Sequence, residues 1–175
     1  MASQLDAECY LFPAPLVVDS VETKRNLIEN CGLDRIYQMA RDLDLAVVSV
    51  GDIGPHSTSL AGQFMTEGEL GELMALGCVG DVMCNFLDRE GRTVPHPLSS
   101  RIMSIDLDTL SKAKHIVIAC GGSHRAPAIA AAIKRVGCNS LVTDEGAARE
   151  LLAQGARPAS AADKDVAPRM ERNSV

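Results

Sequence analysis

At 175 residues, 46% hydrophobic and 23% charged, the chain carries enough apolar material for one packed domain and is too short for two. A net charge of −6 excludes the basic footprint of a surface that grips duplex nucleic acid, and 3% aromatic residues with no Trp leave no platform for stacking single-stranded bases. No apolar run approaches the roughly 20 residues of a membrane span, and the N-terminus lacks a signal peptide's basic and apolar regions, so a reducing cytoplasm is the expected compartment.

In chain order, Ala7 to Phe12 reads as a short strand stopped by Pro13-Ala14-Pro15. Ser20 or Asp19 can cap a helix with Leu27, Ile28 and Cys31 on one face, closed by Gly32. Asp34 can cap a second, with Ile36, Ala40 and Leu43 as a narrow stripe. Leu45 to Val50 is continuously apolar and β-branched, the pattern of a buried parallel strand, and ends in Gly51-Asp52. After a polar loop through Gly54, Pro55, Ser57, Thr58 and Ser59, the Thr66-to-Glu69 spacing matches a capping box. It opens a helix with Leu70, Leu73 and Met74 inward. Cys78 to Leu87 and Arg92 to Val94 read as a hairpin turning at Asp88 to Gly91. A short helix around Leu107 to Ser111 precedes a second buried strand, His115 to Cys120, which breaks at Gly121-Gly122. A helix over Ala126 to Val136 has Pro127 in its first turn, and a third short strand, Ser140 to Thr143, leads to a helix capped by Asp144 and running through Leu152. Ala153 to Val175, rich in Ala, Pro and charge, is expected to be a disordered tail.

Strands alternating with helices predict an α/β domain: a Rossmann-like, mostly parallel sheet with helices on both faces and a small β-hairpin excursion. In such sheets ligands bind beyond the carboxyl ends of the strands, which here are Gly51-Asp52, Gly121-Gly122-Ser123 and Asp144-Glu145. The Gly121-Gly122 exit can turn backbone N–H groups toward an anion, with Arg125 adding a cation; a tight turn beside a surface arginine explains the same residues. Asp81 lies inside an apolar stretch, where a carboxylate is expensive to bury unless something binds it. It is either an acceptor for ligand hydroxyls or a structural hydrogen-bond acceptor. Asp52 competes for the ligand role, although Gly-Asp after a strand is a common turn signal. The six cysteines show no CxxC spacing, and His56, His96, His115 and His124 fall at no ligand spacing, so neither metal nor cofactor is expected.

Three blocks, Gly77 to Arg101, Ile116 to Ile133 and Leu141 to Leu152, together with Pro13 to Ser20 and Val47 to Gly54, resemble the sugar-binding domain of SorC/DeoR-type bacterial transcriptional regulators. The resemblance covers about Ala7 to Leu152. It implies an effector domain over residues 1–152, similar in architecture to sugar-phosphate isomerases, that binds a phosphorylated sugar or polyol and forms homo-oligomers. It also implies that Asp81 contacts the effector and that Arg125 stands where the family usually has lysine, keeping the charge in a planar fork. The family's helix-turn-helix, through which DNA would be bound, and the first strand of its sugar domain with a phosphate-cradling loop have no counterpart here. The chain is therefore expected to lack the N-terminal portion of that domain. An isomerase or deaminase with Asp81 as base, and a non-binding oligomerisation remnant, are the alternatives.

Overall fold

The computed structural model describes residues 4, 6–54 and 64–155. The strand expected over Ala7–Phe12 does not form: Ala7 to Leu11 are exposed and irregular, and no neighbouring strand completes a ladder for them among the described residues. Phe12 alone finds a ring partner, edge-on to Tyr37 at 5.5 Å, and the first strand-like pairing is an isolated bridge from Val17 to Ile102. Ser20 caps α1 (Val21–Asn30) as its side chain predicts, accepting from the Thr23 amide at 3.0 Å. For α2 (Asp34–Met39) the expected cap is wrong. Asp34 is the first helical residue, and Leu33, whose aliphatic side chain has no acceptor to offer, stands at the cap and is buried with Val18 and Met103. Packing rather than capping sets that helix start.

Three strands, β1 (Leu45–Val48), β5 (His115–Ala119) and β6 (Ser140–Val142), run parallel in the order β1-β5-β6. Ala46, Val48, Ile116, Ile118 and Leu141 share one face of this sheet and pack into the main core. That core is filled by α5 (Ala126–Val136), whose Ala128, Ile129, Ala132 and Ile133 are buried in the same cluster. Pro127 lies in its first turn and Gly137 ends it at φ +62°. The opposite face is bare among the described residues: Leu45 is 54%, Val47 63% and Val142 61% exposed. Leu45–Val50 is thus a parallel strand only to Val48 and is half-exposed, and among the described residues helical cover lies on one face of the sheet.

A second, antiparallel sheet holds β2 (Gly51–Asp52), β3 (Cys78–Val82) and β4 (Asn85–Asp88) in that order. The hairpin excursion is present, but its tight turn is at Met83-Cys84, not at Asp88 to Gly91, which makes a second turn. Met83 and Cys84 take φ of 51° and 60°, a conformation that usually calls for Asn or Gly. Asp81 Oδ2 accepts the Cys84 N–H at 2.7 Å, and Asn85 Nδ2 donates to the carbonyls of Val82, Met83 and Ile105. These bonds hold a turn whose own residues do not announce it. Arg92–Val94 contributes only an isolated bridge, Leu87 to Thr93.

Packed on the antiparallel sheet through Leu73, α3 (Glu67–Ala75) opens on the predicted capping box, Thr66 Oγ1 accepting from the Glu69 amide at 3.2 Å and Glu69 Oε2 from the Thr66 amide at 2.9 Å. Of its three residues expected inward, Leu73 is buried and Met74 is 46% exposed. A 3-10 turn over Pro97–Arg101 is capped by buried His96, whose Nδ1 accepts from the Leu98 amide. That leaves Nε2 to carry the proton toward Glu72 Oε2, 3.1 Å away. Asp106 caps α4 (Leu107–Leu110) and Asp144 caps α6 (Glu145–Ala153), which contains the first residue of the expected tail. Residues 156–175 of that tail, and the polar loop from Pro55 through Ser57, Thr58 and Ser59, lie outside the described residues. No helix among the described residues is long and apolar enough to cross a membrane.

Candidate functional site

The carboxyl ends of the three parallel strands meet along one edge, and the residues leaving them hold one another. After β1 the chain bends into β2, which places Gly51 opposite Asp81 and Asp52 opposite Gly80. After β5 it passes through Cys120, Gly121 and Gly122 into a 3-10 turn, Ser123–Arg125, that leads straight into α5. Cys120 Sγ donates to the Val50 carbonyl at 3.3 Å, tying the first two exits together. Arg125 completes the tie, its Nε donating to Asp52 Oδ1 at 3.2 Å, with the two side chains 25% and 13% exposed. Burial works against the charged guanidinium, but Cys120 and Asp52 beside it hold its pKa above the ordinary value, so Arg125 is a cation at every working pH.

The third exit is joined through the glycine pair. Gly122, at φ +100°, donates its N–H to Asp144 Oδ2 at 2.5 Å, while Asp144 Oδ1 accepts from the Ala147 amide at 2.8 Å as the cap of α6. A Cβ on Gly121 would lie 2.4 Å from Asp144 Oδ2, so the absence of a side chain is what lets the carboxylate settle there. The Ala147 and Gly122 amides, with Gly146 and His124 adding to them, hold the Asp144 carboxyl below the usual carboxylate range. The backbone at Gly122 is therefore an anion-holding position, and the anion it holds is the protein's own Asp144.

Asp81 is 6% exposed. Its Oδ2 is committed to the Cys84 amide, whereas its Oδ1, also buried, has no hydrogen-bond partner among the described residues. Burial pushes this carboxyl above its ordinary pKa and the neighbouring Asp52 charge adds to the rise, against the pull of the Cys84 amide. The structural role weighed from the sequence thus accounts for one oxygen and leaves the other unexplained.

Of the five residues predicted for the site, Asp52, Gly121, Gly122 and Arg125 line the strand exits, and Asp81 lies beside them through its β3 pairing with Gly51. Arg125 bonds Asp52. Sequence reasoning missed Asp144 as a site residue although it named that strand exit, because the capping role of Asp144 explained it fully. It also missed Cys120, which reads as one more residue of an apolar strand. Among the described residues, no group of three or more His, Cys, Asp or Glu side chains is placed to hold a metal ion.

Residues 1–153 match the family model of a sugar-binding domain. A transcriptional regulator LsrR from Klebsiella pneumoniae is 36% identical over 155 residues, which are 86% of this chain and 48% of that protein. A transcriptional regulator from Streptococcus pneumoniae of known structure superposes with a TM-score of 0.80 at 22% identity, over 89% of this chain and 60% of that one. The full-length sorbitol operon regulator SorC from K. pneumoniae also gives a TM-score of 0.80, at 25% identity, over 86% of this chain and 49% of that one. The chain spans about half the length of the curated relatives it matches.

Proposed function

We propose, since this chain belongs to the family of sugar-binding domains, that it senses a phosphorylated sugar or related polyol for a bacterial transcriptional regulator and carries out no chemistry on it. Relatives named as regulators support the role, and the DNA contact then falls to a part of the protein other than this acidic domain. The reading places the protein in the cytoplasm as a homo-oligomer.

One observation supports the site most directly: the unpartnered Oδ1 of Asp81, one strand from the Arg125–Asp52 pair at the carboxyl edge of the sheet. A buried acceptor without a donor costs about 1–3 kcal/mol, and an effector hydroxyl that donates to it recovers that cost. Arg125 then supplies the charge for the effector's anion, with Asp52 fixing the plane of its guanidinium. The Gly122 amide, which holds the Asp144 carboxylate, supports an anion at this edge.

Titration calorimetry of the chain against a panel of sugar and polyol phosphates tests the reading. Asp81→Ala and Arg125→Ala should each weaken binding by about 1.5–3 kcal/mol, roughly tenfold or more in Kd. Removing the phosphate from the ligand should cost the parent more than it costs Arg125→Ala. Unchanged binding in both variants removes the site, and turnover of any bound sugar phosphate in a parallel isomerase assay replaces the sensor with an enzyme.

A further inference from the structure

A backbone N–H is a single donor, so an amide already engaged by one anion takes another only by losing the first. That condition holds at the third strand exit. The Gly122 N–H is bonded to Asp144 Oδ2, and Asp144 is exposed, so its side chain can turn into water without opening the core. The other tie at this edge differs. Asp52 and Arg125 are mostly buried, and a guanidinium carries five N–H donors, so Arg125 can serve more than one acceptor at once. Asp144 has a second duty as well. Its Oδ1 accepts the Ala147 amide as the cap of α6. A Cβ on Gly146 would lie 3.2 Å from that oxygen and 3.8 Å from Ser123 Cβ, so the first turn of α6 rests against the turn that leads from Gly122 into α5. Ala147 and Leu151 carry α6 into the main core. One carboxylate thus joins an anion-holding amide to the start of a core helix.

Resting on the reading of these exits as the effector site, we infer that Asp144 is an internal competitor for the effector's anion: an incoming phosphate takes the Gly122 amide from it, and its release uncaps α6. Occupancy of the edge is then reported as a loosening of that helix's first turn. Charge enforces the exchange as well as donor count, because a phosphate oxygen on the Gly122 amide and a carboxylate oxygen in its present place repel at contact distance. The two carboxylate oxygens move as one rigid group. Swinging Oδ2 away from Gly122 carries Oδ1 away from Ala147, and the amide there loses its acceptor. Gly122 itself holds its φ of +100° without a Cβ penalty, so its N–H stays aimed at the edge when Asp144 leaves. The affinity of this edge for anions is accordingly set below what its donors allow, by the protein's own charge.

The test is a titration of the chain with inorganic phosphate at fixed pH and ionic strength, followed by NMR at the Gly122 and Ala147 amides. Asp144→Ser keeps a capping oxygen for Ala147 and withdraws both the charge and the reach to Gly122. It should bind phosphate at least fivefold more tightly than the parent, with the Gly122 amide shifting in both. Glu150→Gln, which removes the same charge from an exposed position on α6, should match the parent. Saturating phosphate should speed Ala147 amide exchange at least threefold in the parent and leave it unchanged in Asp144→Ser. Asp144→Asn, neutral and of the parent's shape, should gain affinity in the same direction, which keeps the test decisive if the serine variant folds poorly. Equal or weaker phosphate binding by both Asp144 variants, or a Gly122 amide that phosphate does not move in them, overturns the inference. Failure of the sensor reading looks different: the parent ignores a sugar-phosphate panel while phosphate still binds the Asp144 variants at Gly122, and the inference stands. Sugar phosphates that bind through Asp81 and Arg125 yet leave the Gly122 and Ala147 amides unmoved keep that reading and overturn the inference.

Discussion

Gly80 lies where β3 passes beneath α5, and the whole placement of the candidate site depends on how close that passage is. A Cβ added there would lie 2.3 Å from the Gly51 carbonyl oxygen and 2.4 Å from Ala128 Cβ. Non-bonded carbon atoms come to rest at about 3.5–4.0 Å, so the Ala128 contact falls short by more than 1 Å, and the carbonyl oxygen, though a smaller atom, is also far inside van der Waals distance. Neither neighbour can turn aside, since one is backbone and the other is fixed directly to a helix backbone. Relief requires β2 or α5 to move. Overpacking of this kind costs about 1–3 kcal/mol, and two rigid clashes at once put Gly80→Ala near the upper end, about 3 kcal/mol. Urea unfolding followed by circular dichroism should show the midpoint falling with an unchanged slope. Ala128→Gly removes one of the two obstacles at its own helix cost of about 1 kcal/mol, so the double variant should be more stable than the two single effects added together, by about 1 kcal/mol. A loss below about 0.5 kcal/mol for Gly80→Ala, or strict additivity in the cycle, would refute the packing argument. Because β2 carries Asp52, the same variant should also loosen the Asp52–Arg125 pair and weaken effector binding beyond what stability alone explains.

Three further outcomes follow from the geometry. Met83→Asn should stabilise the protein by about 1 kcal/mol, because Asn tolerates the positive φ that Met83 is forced to adopt; thermal unfolding checks it, and a loss of stability would contradict the turn assignment. Burial raises the Asp81 pKa above its ordinary 3.8, so the folded state takes up this proton more readily than the unfolded chain. The stability this confers is complete below the ordinary value and is lost as pH rises through the raised one. Asp81→Asn cannot ionise, so its stability relative to the parent should improve between pH 4 and pH 7, and a difference that does not change with pH would show that the carboxyl is not perturbed. Gly121→Ala should push Asp144 off the Gly122 amide and return the Asp144 carboxyl toward its ordinary pKa, a shift read by NMR titration; an unmoved Asp144 would mean that the glycine pair is not what holds it.

What the sequence disclosed was governed by distance along the chain. Ser20, Asp144 and the Thr66–Glu69 pair cap helices that start within three residues of them, and all three were legible. The type and direction of β1, β5 and β6 were legible because apolar, β-branched runs alternating with helices leave little else. Which face of those strands is covered was not, since continuous apolarity says that both faces avoid water without saying what meets them. The Met83-Cys84 turn escaped for a different reason: its bonds are mostly local, but neither turn residue is the Gly or Asn that usually marks such a turn. It is held by Asp81 and Asn85 on either side, with the carbonyl of Ile105, 20 residues further on, accepting one more bond from Asn85.

The site follows the same rule, and this bears on how it works. The strand-exit rule and the family resemblance picked Asp52, Gly122 and Arg125, yet their pairings span long separations: Arg125 reaches back 73 residues to Asp52, and Gly122 reaches forward 22 to Asp144. Each pairing sets a carboxylate of the protein against a cation or an amide that the sequence alone suggests is waiting for a ligand. The charge that fixes the three exits relative to one another is thus internal to the fold. On the proposed reading, an anionic effector at this edge would share or exchange those contacts, and the unpartnered Asp81 oxygen would be the place where its hydroxyls add a bond without breaking one. Discrimination among sugars should accordingly depend more on the hydroxyl pattern facing Asp81 than on the anion, whose contacts at Arg125 and Gly122 any phosphate or carboxylate can share.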